Sequence, residues 1–261
     1  MRSIANLTKP AALVAPVLLA LALGCGHYLI PGPFQPARPE QQAATGEGNR
    51  MEVFDDGSVT FIQNRLEVSV RPMLDDELNR QFASLSDDMD SPADEIPTNA
   101  FTFGEWVDPK TGKPPSRFSI FKVSVKNYEY PKVKFDPLKI VISSSNGRDY
   151  YPWGKYDVEE YFRRFAPAYN GIGYRRYSER RDMIERAVFP ENEFVFSGQE
   201  TEGYVIFPVI HSDVDQIDFR IPEMGIRFNF RNESTETLDL NFRFNRDLLK
   251  VKTYDEVASQ P

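Results

Sequence analysis

From residue 51 onward, apolar and polar positions alternate along most of the chain. Val59 and Phe61, then Leu66, Val68 and Val70, recur at every second position on either side of Asn64-Arg65. That period of two predicts paired strands with one buried face. The same pattern returns at Phe101-Phe103, across Arg117 to Val125, and across Leu138 to Ile142, which Asn146-Gly147 ends as a turn. Phe121, Val123 and Val125 share one face of the first long strand, and Leu138, Ile140 and Ile142 share one face of the next. In the last third, Phe194-Phe196, Tyr204 to Val209, Ile217-Phe219-Ile221 and Ile226-Phe228-Phe230 continue the series. The cleanest alternation is the final one. Leu238, Leu240, Phe242 and Phe244 point one way, and Asp239, Asn241 and Arg243 the other.

Two stretches change period. Leu74, Leu78, Phe82 and Leu85 lie on one helical face after Pro72, with Asp75, Asp76 and Glu77 in the first turn, where the helix dipole favours anions. This predicts a short helix near 73–86. Between 155 and 189, Val158, Tyr161, Phe162 and Phe165 form one apolar helical face that ends at Pro167. A loop carrying Gly171 and Gly173 is expected next. A second helix is then expected from about Tyr177 to Val188, with Ile184, Ala187 and Val188 inward.

The first 50 residues follow neither period. Arg2 and Lys9 precede a 13-residue apolar run, Ala11 to Leu23, and then Gly24 and the chain's one cysteine, Cys25. Thirteen residues fall short of the ~20 that a helix needs to cross hydrocarbon. They fit the apolar centre of a signal peptide. The segment Leu21-Ala22-Leu23-Gly24-Cys25 resembles the lipobox of bacterial lipoproteins, with Ala22 and Leu23 exchanged from the usual order. The resemblance implies removal of residues 1–24, acylation of Cys25 and anchoring in a membrane. Gly26 follows where an aspartate would imply inner-membrane retention, which favours the outer membrane in a two-membrane source. Residues 25–50 are rich in proline, glycine and glutamine and read as a flexible tether. One domain is expected over 51–245, and a polar tail over 246–261.

Charge narrows the function. The chain carries −8, and −10 without its first 24 residues, which disfavours nucleic acid as a partner. One cysteine and two histidines leave no Cys/His metal site and no Cys–His dyad. His27 lies in the expected tether and His211 beside the Ser212-Asp213 turn. The acidic run with Asp87, Asp88, Asp90, Asp94 and Glu95 lacks the spacing of an EF-hand loop and reads as a solvated loop, with a weak Ca²⁺ site as the alternative. No phosphate loop, nucleophile elbow or His-Glu-x-x-His pair occurs. No catalytic residue, metal ligand or cofactor is therefore nominated.

A second resemblance lies at Phe196 to Phe207. Gly198 and Gly203 bracket a turn that leads into Tyr204-Val205-Ile206-Phe207, which is similar to a stretch in bacterial lipoproteins with an immunoglobulin-like domain of unknown function. It implies a mainly β, antiparallel, immunoglobulin-like sandwich, and the helical stretch near 155–189 is an insertion in that plan.

The expected function is a non-catalytic, membrane-anchored envelope module that binds a partner protein. A carrier of an apolar ligand and a carboxylate-dependent enzyme on envelope glycan are the alternatives. The expected contact surface is the insertion. Six arginines with one acid among them run from Arg163 to Arg181, and aromatics are interleaved. Arginine, tyrosine and tryptophan are enriched where binding energy concentrates. The candidates are Arg163, Arg164, Arg175, Arg176, Tyr169, Tyr174 and Trp153. The competing reading is that these aromatics cap one end of the sandwich.

Overall fold

The computed structural model describes residues 28–42, 49–82, 99–104, 107, 114–163 and 171–251. The chain is mainly β. One antiparallel sheet has the order β11 (Gln199–Phe207), β6 (Ser119–Asn127), β5 (Leu66–Pro72), β4 (Val59–Gln63), β3 (Asn49–Val53). A second has the order β2 (Gln35–Pro36), β13 (Ser234–Asn245), β12 (Gln216–Phe228), β8 (Val141–Ser144), β9 (Asp149–Tyr150). Two short ribbons join β1 (Tyr28–Pro31) to β14 (Leu248–Val251), and β7 (Lys132–Val133) to β10 (Val195–Phe196). Helices α1 (Asp75–Gln81), α2 (Lys155–Arg163) and α3 (Gly171–Ala187) complete the described elements.

The two large sheets face each other as a sandwich. Alternation decides which side chains fill the gap, because successive residues of a strand point to opposite faces. Phe121 of β6 lies 5.1 Å from Phe219 of β12 and 6.1 Å from Phe244 of β13, ring centre to ring centre. Leu240, Phe242 and Phe244 are buried in this layer and Leu238 packs against it, as the last alternation predicts. Val59, Phe61, Leu66, Val68 and Val70 fill the opposite wall. Asn64 turns the chain between β4 and β5 with a positive φ of 53°, a conformation that asparagine tolerates well.

Asn127 closes one end of the sandwich. It is fully buried and donates to the carbonyls of Tyr130 (2.8 Å) and Val195 (2.9 Å). Its Oδ1 accepts from the amides of Glu129 and Tyr130. One side chain thus meets the backbone of the loop after β6 and of β10, as a buried amide must.

Several expectations need correction. Residues 28–42 do not behave as a tether. β1 pairs along β14, β2 pairs with β13, and Ala37 is buried. The Gln42 amide stands in for a strand neighbour. It accepts from the Arg243 amide (3.0 Å) and donates to the Arg243 carbonyl (3.0 Å), so it caps an otherwise open sheet edge. The expected polar tail begins as a strand, β14. Phe101-Phe103 is a bend, not a strand. Leu138 falls in a single 3-10 turn, Pro137–Lys139, and is exposed, whereas Ile140 and Ile142 are buried. The second helix of the insertion starts at Gly171, where a loop was expected. Glycine costs helix stability, but the arginine- and glutamate-rich stretch after it favours the helix. The acidic run 86–98 and the expected helical position Leu85 lie outside the described residues.

Candidate functional site

The insertion leaves the sandwich at Trp153 and rejoins it at Val188-Phe189. Both junctions are pinned to β11. The Trp153 amide donates to the Ile206 carbonyl (2.8 Å), and the Phe189 amide to the Tyr204 carbonyl (2.9 Å). The insertion therefore covers part of the outer edge of β11. It also covers the outer face. Tyr204 and Ile206 of β11 and Phe118 and Ile120 at the start of β6 point away from the sandwich core. They meet Val158 and Phe162 of α2, Ile184 of α3, Leu78 of α1 and Phe101 in a second apolar cluster. This explains why β11 is buried continuously from Gly203 to Phe207 instead of alternating.

This cluster sorts the candidate aromatics. Trp153 is half-buried, with its ring 5.5 Å from Phe118 and 5.8 Å from Tyr161. Tyr161 also packs on Phe118 and Phe162, and Tyr177 lies against the same cluster. Trp153 packs against the end of the sandwich as the capping reading expects. Tyr174 is 54% exposed, Tyr156 74% and Tyr151 60%. These three are the exposed tyrosines of the 151–189 stretch among the described residues. Tyr156 belongs to the aromatics interleaved with the arginine run, whereas Tyr151 has no signal in the sequence, since alternation and helical spacing do not rank exposed aromatics.

The cations sort as well. Arg163 pairs with Glu160 one helical turn back and stays half-exposed. Arg181 lies near Asp182 (3.5 Å) and Glu185 (3.9 Å). Arg180 is not a simple surface charge. Its guanidinium sits over the Phe162 ring at 5.2 Å. Arg117 approaches the same ring at 5.3 Å, stacks on Phe103 at 4.2 Å and donates to the Asn99 carbonyl (3.2 Å). Burial, and then the neighbouring Arg180 charge, push the Arg117 pKa down to about 10. Arg180 thus joins α3 to α2, and Arg117, just before β6, joins α2 to the 99–103 segment. Arg164, Tyr169 and Cys25 lie outside the described residues, as do the side chains of Arg175 and Arg176.

Other chemistry is sparse among the described residues. No group of three or more His, Cys, Asp or Glu is placed to hold a metal. The Tyr150 hydroxyl and His211 Nδ1 are 2.9 Å apart at an exposed turn. The described depressions, each about 400 Å³, are open grooves on the surface. No described helix is long and apolar enough to cross a membrane. No family model, curated protein or solved structure matches this chain.

Proposed function

We propose that the chain is a lipid-anchored envelope protein of the bacterial lipoprotein kind, held by Cys25, and that it binds a partner protein through the insertion carrying α2 and α3. The carrying observation is the division of the insertion into two sides. Trp153, Tyr161, Phe162 and Ile184 are turned into the second cluster, while Tyr156, Tyr174 and Arg163 are turned out. A helical pair seated on the second cluster with tyrosine and arginine outward is a suitable contact surface, because those residue types concentrate binding energy. The grooves are open, and large phenylalanines occupy the space between the sheets. Both points favour docking over carriage of an apolar ligand.

An immunoglobulin-like plan is supported by the way the strands change sheets. β5 and β6 pair in one sheet, β8 crosses to the other, β11 returns beside β6, and β12 with β13 crosses again beside β8. That exchange is the Greek-key order of such sandwiches. The insertion follows β9 and precedes β11, where a further strand of the first sheet would otherwise lie.

Two experiments test the reading. Mass spectrometry of the amino-terminal peptide from the native host should find an acylated Cys25, and an unmodified amino terminus elsewhere refutes the anchor. A charge swap of Arg163, Arg164, Arg175 and Arg176 should deplete captured partners while circular dichroism stays unchanged. An intact fold with unchanged partners removes the insertion from the contact surface.

A further inference from the structure

The ribbon of β1 and β14 is apolar and lies outside both cores. The two strands pair only with each other, setting Tyr28 opposite Val251, Leu29 opposite Lys250, Ile30 opposite Leu249 and Pro31 opposite Leu248. Lys250 is the one charged residue of the eight. None of the eight belongs to either apolar cluster. Leu249 is 42% exposed, and Leu29, Ile30 and Leu248 are partly exposed. A two-stranded ribbon by itself is only marginally stable in water, so an apolar one calls for a cover.

The base of the ribbon is fixed to the sandwich. The Gly32 amide donates to the Asp247 carbonyl (2.8 Å), and the Arg246 amide to the Asp215 carbonyl (2.7 Å). Arg246 Nε donates to the Val214 carbonyl (2.6 Å), and its guanidinium lies 4.4 Å from the centre of the Phe34 ring. The other end of the ribbon is the pair Tyr28 and Val251. Cys25 is three residues before Tyr28. Three residues reach at most about 11 Å, whatever their conformation. The headgroup layer of one leaflet is itself about 5–8 Å deep. Acyl chains on Cys25 therefore bring the free end of the ribbon down to the bilayer surface, with no spacer long enough to hold it off.

We propose, resting on the reading of Cys25 as the anchor, that the β1–β14 ribbon docks on the same bilayer, with Ile30 and Leu249 entering the interface. Cross-strand partners share a face, so Ile30 and Leu249 lie together and Leu29 and Lys250 lie on the other side. Lys250, which is exposed, then stays at headgroup level. Reach and apolar surface select the bilayer, not charge. Arg246, Asp247 and Lys250 leave the ribbon and its base at +1, so anionic lipid is not required. A protein partner or a second copy has to be recruited to these residues, whereas the chain itself brings the bilayer to them. Docking there also gives the sandwich a fixed stance, because the base of the ribbon is bonded to it. β13 runs 12 residues, on the order of 40 Å, from the hairpin that carries Phe230 to the ribbon base.

The test uses the full-length acylated chain in phosphatidylcholine vesicles. Acylation occupies the Cys25 sulfur, so Leu249→Cys, or Phe230→Cys as the distant reference, supplies the one free thiol for a nitrobenzoxadiazole label. Both positions are exposed, so neither change disturbs a core. The label at 249 should shift to the blue and lose its emission to lipid that carries a nitroxide high on the acyl chain. The label at 230 should do neither. Equal, water-like emission at the two positions in a vesicle-bound chain overturns the docking and leaves the anchor standing. A blue-shifted label at 249 that the lipid nitroxide does not quench overturns the docking as well and assigns the ribbon to a protein cover. An unacylated Cys25 in the mass spectrum refutes the anchor and the docking together.

Discussion

Gly198 precedes β11 and Gly203 lies within it, and the same methyl group should cost more at Gly203 than at Gly198, for different reasons. Gly203 lies where the insertion rejoins the sheet. An added Cβ would stand 2.4 Å from Phe189 Cα, 2.5 Å from its nitrogen and 3.0 Å from the Val188 carbonyl carbon. Comfortable carbon contacts begin near ~3.5 Å, so a shift of about 1 Å is required. Both sides of the clash are backbone. Gly203 is held opposite Val123 in the ladder with β6, and Phe189 donates to Tyr204 at 2.9 Å. The overlap can therefore be relieved only by moving the insertion off β11. Overpacking of a tight site costs about 1–3 kcal/mol, and losing the Phe189–Tyr204 bond adds about 1 kcal/mol. Gly203→Ala should thus destabilise by roughly 2–4 kcal/mol.

Gly198 is needed for a different reason. Its φ is +82°, and an added Cβ meets nothing within 4 Å. Gly198→Ala then bears only the left-handed backbone penalty, about 1–2 kcal/mol. Urea unfolding of both variants at constant slope measures the difference. Gly203→Ala should also lose partner capture ahead of global unfolding, because Val188-Phe189 is one of the two junctions of the insertion. Equal midpoints for the two variants, or a smaller loss at Gly203, would refute the close-approach argument.

Three further outcomes are expected. Asp75, in the first turn of α1, has its pKa raised to about 6, chiefly by burial and further by Asp76, although Ser116 bonds to it. A raised carboxylate stabilises below its unfolded pKa of 3.8 and loses that contribution as pH climbs through about 6. Asp75→Asn should therefore melt higher than the parent at pH 7.5, by about 1–2 kcal/mol after allowing for partial exposure, and the gap should close below about pH 4; an equal gap at both pH values contradicts it. Asn127→Ala should cost about 2–3 kcal/mol in urea, because the carbonyls of Tyr130 and Val195 and the amides of Glu129 and Tyr130 lose their partner at once. Phe242→Ala should cost about 3–5 kcal/mol. Its neighbour Arg243, on the polar face by alternation, should still cost about 1–2 kcal/mol, because it grips Asp218 through two bonds of 2.7 and 3.0 Å. Calorimetric melts rank the pair, and no loss for Arg243→Ala would show that the grip is idle.

Much of the sandwich was legible because strand burial is a local property. The side chains of Phe121, Val123 and Val125 face the gap by period alone. What was not legible depends on which edges lie open. β1 and β2 are short, carry three prolines between Tyr28 and Pro36, and find partners only because β14 and the end of β13 are available. Gln42 has no sequence signature, since its amide matters only where a strand would be missing. The same limit applied to the insertion. Its arginine and tyrosine content stood out, but which tyrosines turn inward depends on Phe118, Tyr204 and Ile206, contributed by distant strands.

The hairpin tip shows the limit most clearly. Alternation puts Ile226, Phe228 and Phe230 on one face, yet Ile226 is 1% exposed and Phe230 89%. The pairing of β12 with β13 slips between Ile221 and Met224, between Gly225 and Arg227, and between Arg227 and Phe228. Glu223 takes a positive φ of 53° at the first slip. Each bulge adds a residue on one strand and resets which face the next side chain takes. Phe228 is thereby turned over Gly225, whose absent side chain leaves room for the ring (an added Cβ would lie 2.7 Å from Phe228 Cζ). A hydrophobic period read without its bulges assigns these phenylalanines to the core. The bulges are what turn them out beside Lys132 and Arg231, so the feature that defeats the sequence pattern is the one that builds the exposed end.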